Sequence, residues 1–589
     1  MAEIRNPNAS SPGSGGGDTR SLLFFTLLAL GALMAYQYFH PPVPPKTQSP
    51  APTTSAQTAS AQSGAPAAQS PAPVAAASVQ AASETTTVVE NDLYRITFTN
   101  RGAQVTSWIL KRYKDSHGQP LDLVNHAAAA RFGLPLSLFT YQPQLTKQLN
   151  SALYQPSVTG PVTAPTGIVF RYAAGPLTAT KTFLFNESYV IDIEASVEEN
   201  GQPVRALVQW PSGLGDLDEA AQYNYVKFAF SSDGKRDTTL ARKTSGGATL
   251  NQPFDYAGPI DLYFTATFLP ANPADATVVT LHNAIDVPRD QADPKSRQIS
   301  EPVLGVAVGD QSGPAHTRLF AGPLQYDVLG AIHTTSPDGL ATGEDLRPLV
   351  QYGWFKFIAE PLFLLLRFVH DHLIPNWGWS IIVITLVFNL LMLPTRFTMM
   401  KSSLKMQRVQ PKLDAIKRKY AGLKPTDPRR AEMNTETMKL YKEEGINMYG
   451  GCLPLLVQMP LFYGYYRVLL NAIELRQASW GWLPNLAAAD PLHILPITII
   501  ISMFLVQFIT PSPGMDPAQR RMMAFMMPAI FGFSMWGFAS GLALYWATGN
   551  LLNMALQFGI NRSKMGRELN EIAARRAAAK RPRTINARR

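Results

Sequence analysis

The chain has 589 residues, of which 46% are hydrophobic and only 16% charged, and it carries a net charge of +10. A soluble chain runs nearer a quarter charged, so composition argues against an ordinary soluble protein and for membrane spans, whose basic loops face the cytoplasm rather than a specific nucleic-acid sequence. The single cysteine, Cys452, excludes an intramolecular disulfide, and with no Cys or His cluster around it no metal site is expected.

In chain order, residues 1–20 are polar, rich in Gly and Ser, and expected to be disordered. The run SLLFFTLLALGALMAYQYF, 21–39, matches the roughly 20 apolar residues that cross a bilayer. It ends in aromatics without a small-residue cleavage site, which favours an uncleaved anchor over a signal peptide. Residues 40–83, rich in Pro, Ala, Ser, Thr and Gln, read as an extended linker. From 84 to 345, segments such as TTTVVENDLYRITFTNRGAQVTSWIL, KTFLFNESYVIDIEASVE and IDLYFTATFL alternate apolar and polar residues between Gly, Pro, Asn and Asp turns. This predicts a large antiparallel β domain, a sandwich of two sheets, on one side of the membrane. Residues 349–375 then show apolar positions at helical spacing with charges between them, and predict an amphipathic helix in the membrane interface.

Five apolar runs follow, near 380–395, 452–470, 492–510, 522–538 and 541–560. Several are short and bounded or interrupted by proline, which fits a thin bilayer or helices packed on one another. Between the first two of these runs, residues 395–450 hold 13 Lys and Arg against 6 Asp and Glu, and read as two helices joined by AGLKPTDP. The tail from 561 holds 10 basic residues against 2 acidic ones. Both belong in the cytoplasm, with Arg520 and Arg521 on the same side. Six spans satisfy these assignments together, with both termini inside and the β domain outside.

Polar residues interrupt the spans. Thr385 and Asn389 are four apart on one; Met459, Tyr463, Arg467 and Asn471 make a four-residue stripe on the next; Gln507 lies on another, and Thr548, Asn550, Asn553 and Gln557 on the last. Each Asn or Gln alone would be a helix-to-helix hydrogen bond. A charge at a helix centre costs about 2.5–3.5 kcal/mol, so Arg467 either snorkels to the outer interface or faces a wet cavity. The number of polar groups favours a hydrated groove. No nucleophile elbow, metal-binding helix motif or phosphate loop is present, so neither catalysis nor a cofactor is expected.

The stretches GGCLPLLVQMPLFYGYYRVL, ELRQASW, HILPI, DPAQRRMMAFMMPAIF and SGLALYWATGNLLNMALQ closely resemble the YidC membrane protein insertases of Gram-negative bacteria, and the resemblance covers nearly the whole chain. It implies a non-enzymatic insertase and chaperone of the inner membrane, multi-pass, with the N- and C-termini cytoplasmic and the β domain periplasmic. The implied architecture is a six-span helical part, made of the anchor plus a five-helix core over 379–560, with a periplasmic all-β supersandwich. Nascent membrane proteins are the implied substrates, handled alone or with the Sec translocon. Lipids are further implied partners, and so is the ribosome, through the basic tail 561–589. The family's groove, open to the cytoplasm and to lipid, maps here onto Thr385, Asn389, Gln458, Met459, Tyr463, Arg467, Gln507, Tyr545, Trp546 and Asn550. First contact with substrate maps onto the cytoplasmic hairpin 396–450, through Lys412, Lys417, Arg418, Lys419, Arg429 and Arg430. The family carries an arginine where this chain has Asn389, which implies that Arg467 supplies the groove's positive charge from the neighbouring helix. Because the β domain resembles sugar-binding folds, a membrane-anchored sugar-binding or sugar-processing protein is the alternative, and it requires paired carboxylates with a His in one pocket. A transporter would show pseudo-symmetric repeats, and none is visible in the five-span core.

Overall fold

The computed structural model describes residues 78–217, 222–290, 293, 295–335, 342–423, 427–445, 453–509, 517–564, 566–568 and 571–572. The N-terminal segment 1–20, the anchor 21–39, most of the linker 40–83, Cys452 and most of the tail 561–589 lie outside them.

Alternation becomes strand geometry where one face is covered. In Leu177–Phe185, LTATKTFLF, every second residue from Leu177 to Phe185 is buried, and the threonines between are not. Ala206–Trp210, Tyr256–Ile260 and Phe264–Pro270 are buried at every position, because both of their faces are covered. Three larger sheets result, with ten, five and five strands, rather than the expected two. The ten-stranded sheet is built around Phe264–Pro270, Ala315–Pro323, Val190–Glu199 and Leu177–Phe185, in that order. A second holds the long hairpin Ala276–Pro288 with Gln298–Asp310 beside Ala206–Trp210. In the third, Thr86–Glu90 pairs with Gly160–Thr163 in parallel, an exception to the antiparallel expectation. The 69 residues between those strands are long enough for a crossover that brings the chain back in the same direction. Three short helices punctuate the domain: α1 (His126–Phe132), α2 (Pro143–Ser151) and α3 (Tyr326–Gly330).

The helical part begins with α4 (Lys356–His372), preceded by a single 3-10 turn, Gly353–Phe355. One face of α4 buries Ala359, Leu362, Phe363, Leu366 and Val369, while Phe357, Leu364, Leu365 and Phe368 stay exposed on the other. Next come α5 (Trp377–Leu391), capped by the Asn376 side chain, and α6 (Leu393–Lys419), with Pro394 in its first turn. The hairpin partner of α6 is α7 (Arg429–Glu443), packed through Val409, Leu413 and Leu440. Then follow α8 (Leu453–Asn471), α9 (Ile494–Ile509), α10 (Pro517–Ser534) and α11 (Ser540–Arg562). Helix α11 is central, packing on α5, α8 and α9; α4 lies on α8 and α5, and α10 on α9. Two glycines allow close approaches between helices. A Cβ at Gly532 would stand 1.9 Å from Ile500 Cγ1, and one at Gly464 would stand 2.7 Å from Ile358 Cγ2.

Among the described residues no helix is long and apolar enough to cross a membrane. The physical reason is length as much as polarity. The 15 residues of α5 and 16 of α9 rise about 22–24 Å, short of the roughly 30 Å hydrocarbon core. A continuous cluster of buried apolar side chains runs from the β domain through α4 into α5, α8 and α11.

Candidate substrate groove

On α5, Thr385 is fully buried, and its hydroxyl donates back to the Ile381 carbonyl at 2.7 Å. Asn389, one turn on, donates Nδ2 to the Thr385 carbonyl at 2.8 Å. Its Oδ1 accepts from Arg396 Nη2, in the first turn of α6, at 3.1 Å. A polar chain Thr385–Asn389–Arg396 therefore runs along the end of α5 and across the short break into α6. Facing it on α11, a Cβ at Gly549 would lie 3.9 Å from Thr385 Cγ2. Arg396 Nε, Tyr465 Oη, Asn550 Nδ2 and Asn553 Oδ1 are buried and have no hydrogen-bond partner among the described residues. Each costs about 1–3 kcal/mol in a dry contact, which is a strong reason for a helix interface not to be dry there.

An aromatic cluster adjoins the polar chain through Phe388, the residue before Asn389. The Tyr465 ring lies 4.8 Å from Tyr545 and 6.0 Å from Phe388. Phe462 lies 4.5 Å from Trp546, which lies 4.1 Å from Phe531. Helices α5, α8, α10 and α11 thus meet through rings. Of the residues expected in the groove, Thr385 and Asn389 lie in the polar chain, and Tyr545 and Trp546 lie in the ring cluster.

The stripe on α8 does not join them. Met459 and Tyr463 are 53% and 41% exposed, and Tyr463 stacks on Phe355, 4.7 Å away in the turn before α4. Gln458 is likewise exposed on this helix, and Gln507 is half-buried on α9. Asn471 donates to the Arg467 carbonyl at 2.7 Å. Arg467 itself donates Nη2 to the backbone carbonyl of Gln351, whose side chain accepts from Lys227 of the β domain. Burial, and then Arg467, depress the Lys227 ammonium. The expectation that Arg467 charges the groove is therefore corrected. Phe462 and Tyr465 occupy the side of α8 that faces α11, and Arg467, on another side, is drawn to the joint between the β domain and α4. The residue that sequence reasoning missed is Arg396. Its signal is the seven-residue spacing from Asn389, close to two helical turns, read across the break between α5 and α6.

On the hairpin, the basic residues expected to touch substrate divide. Lys412 pairs with Glu444, Lys419 with Glu436 and Arg429 with Asp427. Lys417 and Arg418 are exposed, and the side chain of Arg430 lies outside the described residues.

Two family models match this chain: one described as 60Kd inner membrane protein over residues 368–568, the other as YidC periplasmic domain over 86–365. A protein of Ralstonia nicotianae named membrane protein insertase YidC is 32% identical over 502 residues, which cover 81% of this chain and 83% of that protein. The chain belongs to the YidC family. A YidC insertase of Paraburkholderia xenovorans is 30% identical over 508 residues, covering 80% of this chain and 83% of its own length. Among solved structures, an active YidC insertase with its first transmembrane domain resolved is 18% identical, covers 81% of this chain and 95% of that one, and has a TM-score of 0.33. A galactose mutarotase-like protein from Lactobacillus casei covers 40% of this chain and 99% of its own, at 9% identity and a TM-score of 0.27. In YidC terms, Thr385–Asn389–Arg396 and the ring cluster adjoining it lie within the matched inner-membrane model, and the β sheets lie within the matched periplasmic one.

Proposed function

We propose that this chain is a membrane protein insertase of the inner membrane. It acts without catalytic chemistry by holding a substrate's polar segment in the groove between α5, α8 and α11 while the apolar segment passes into lipid. The observation that carries this reading is the Thr385–Asn389–Arg396 chain, with unpaired polar atoms of Arg396, Tyr465, Asn550 and Asn553 around it. A peptide tail in hydrocarbon leaves its polar groups unsatisfied at several kcal/mol each, and a hydrated groove part-way across shortens that dry path. Arg396, not Arg467, supplies the groove's positive charge in this reading, from the inner end where α5 meets α6. The short helices fit six spans, counting the anchor, in a locally thinned bilayer, with the β domain outside and the hairpin inside. Nascent membrane proteins are then the substrates. The Sec translocon, ribosomes and lipids are partners, with the exposed Lys417 and Arg418 available for first contact. Partition of the apolar segment into lipid drives release, aided by the membrane potential at about 2.3 kcal/mol per charge per 100 mV.

The test is insertion into proteoliposomes of one substrate carrying an acidic, a neutral or a basic tail. Arg396→Ala is expected to slow the acidic-tailed substrate roughly ten- to a hundredfold, as a charge-assisted hydrogen bond worth about 1.5–3 kcal/mol implies, and to leave the neutral one unchanged. Arg467→Ala is expected to spare the acidic-tailed substrate. Asn389→Arg combined with Arg396→Thr restores the charge. Equal rates for all three tails in Arg396→Ala overturn the assignment, and failure of every substrate with the native protein overturns the function.

A further inference from the structure

The loop that leaves the outer end of α8 does not stay with the helices. Its residues Glu474–Leu475–Arg476–Gln477 enter the β domain, and each finds a partner there or is buried. Leu475 is fully buried. The Arg476 side chain is only 13% exposed and pairs through Nη1 with Asp216 Oδ2 at 3.2 Å, on a carboxylate that is 5% exposed. Its Nη2 donates to the Lys114 carbonyl at 3.2 Å, and its Cζ sits 5.3 Å and 5.0 Å from the ring centroids of Tyr263 and Phe264. Gln477, at a φ of +65°, donates Nε2 to the same Lys114 carbonyl at 3.0 Å. Glu474 lies beside the backbone of Tyr326, at the start of α3. Behind Asp216 stands the buried Asp261, which accepts the backbone N–H groups of Tyr263 and Phe264 at 2.7 Å each. The turn that presents both rings to Arg476 is therefore itself held by a carboxylate beside its partner.

These contacts come from strands and loops far apart in sequence, around residues 114, 216, 263 and 326, and they converge on four consecutive residues of the helical core. A surface association through scattered exposed charges would not need this. A guanidinium that is buried, stacked on two rings and paired with a buried carboxylate is the signature of an anchor in an interface centre. We propose that Glu474–Gln477 is a docking key that locks the β domain onto the outer end of α8, with Arg476 as its positioning residue, so that α8 and the β domain move as one body. The proposal does not depend on the groove or on insertion. The partner is this chain's own β domain; at the edge of the contact Arg367 of α4 pairs with the exposed Asp327, and Glu360 accepts from the Tyr326 hydroxyl at 3.2 Å.

The test uses the full-length chain in lipid nanodiscs, with Cys452→Ser and spin labels at the exposed positions Lys147→Cys and Leu492→Cys. One narrow inter-label distance is expected for the native key. Arg476→Ala strands a buried carboxylate, so the double variant Arg476→Met with Asp216→Asn is measured beside it. Both are expected to broaden the distance distribution at least twofold and to raise hydrogen exchange at the Tyr326 amide tenfold or more. Exchange in the central strands Val190–Glu199 and Ala315–Pro323 is expected to stay unchanged. Arg476→Lys, which keeps the charge but loses the fork, is expected to fall between. A distribution that remains narrow in the double variant overturns the proposal. So does loss of protection in the central strands of both variants, because Arg476 would then be a folding residue of the β domain and not a dock.

Discussion

Asn389 and Arg396 are joined by a hydrogen bond across the break between α5 and α6. The amide of Asn389 cannot attract an anion by charge, but it holds a guanidinium two turns away at 3.1 Å and aims it into the contact. Arg467 lies where a span-centre charge is conspicuous, yet it bonds a carbonyl in the segment before α4 and never reaches Asn389. Lys181 makes the same point in the β domain. It occupies an inward position in an alternating strand, fully buried, and donates Nζ to the carbonyls of Gly102, Ala103 and Leu136. Three acceptors match the three donors of an ammonium group, although burial pushes its pKa down to about 7. Lys181→Met keeps the bulk and strands three carbonyls, so it is expected to destabilise the domain by about 3 kcal/mol, measured by thermal unfolding. An unchanged melting temperature would show that water or the backbone replaces those bonds.

At the scale of elements, the loop after α8 joins two structures with different rules. Glu474 is half-buried where α3 and α4 meet, faced by the Tyr326 N–H, by Arg367 and Asp327, and by Tyr113 and Tyr352. Burial raises its carboxyl from 4.5 to about 7. The docked loop therefore holds a proton that the free loop has already lost over that range. Docking is fully stabilised below about 4.5, weakens as pH rises toward 7, and is insensitive to this group above it. Hydrogen exchange at Tyr326 is expected to quicken from pH 5 to pH 7.5 after correction for intrinsic rate, and Glu474→Gln is expected to abolish that slope. Helix α4 reads as amphipathic in sequence, and in the structure it is apolar on two faces. One packs on α5 and α8 across the close approach at Gly464, and the other keeps Phe357 and Phe368 at 68% and 52% exposure. Two apolar faces separated by charges are what a helix needs to lie between a bundle and lipid.

For the whole molecule, the proposed orientation has a direct test. In sealed inside-out vesicles, trypsin is expected to cut after Lys417 or Arg418, exposed on the hairpin, and to leave the β domain intact. In right-side-out vesicles the outcome is expected to reverse. Cleavage of the hairpin from the outside would invert the topology. Much of this architecture was legible in the amino-acid order. The alternation over 84–345, the break at AGLKPTDP and the five apolar runs correspond to strands, to the gap between Lys419 and Arg429, and to α5 and α8–α11. These features are local, set by the two- and 3.6-residue periods of the backbone and by proline and glycine. The family was legible as well, because its motifs are contiguous. What the order of residues by itself could not decide is which polar groups face one another. Arg467 and Gln351 are 116 residues apart, and Arg476 and Asp216 are 260 apart. Periodicity assigns a side chain to a face of its own helix, but the rotation of that helix against its neighbours is fixed only when all the apolar faces are buried together. That packing turned Phe462 and Tyr465 inward, sent Arg467 to the β domain and left Arg396 beside Asn389, because only the assembled bundle determines which side of α8 is inside.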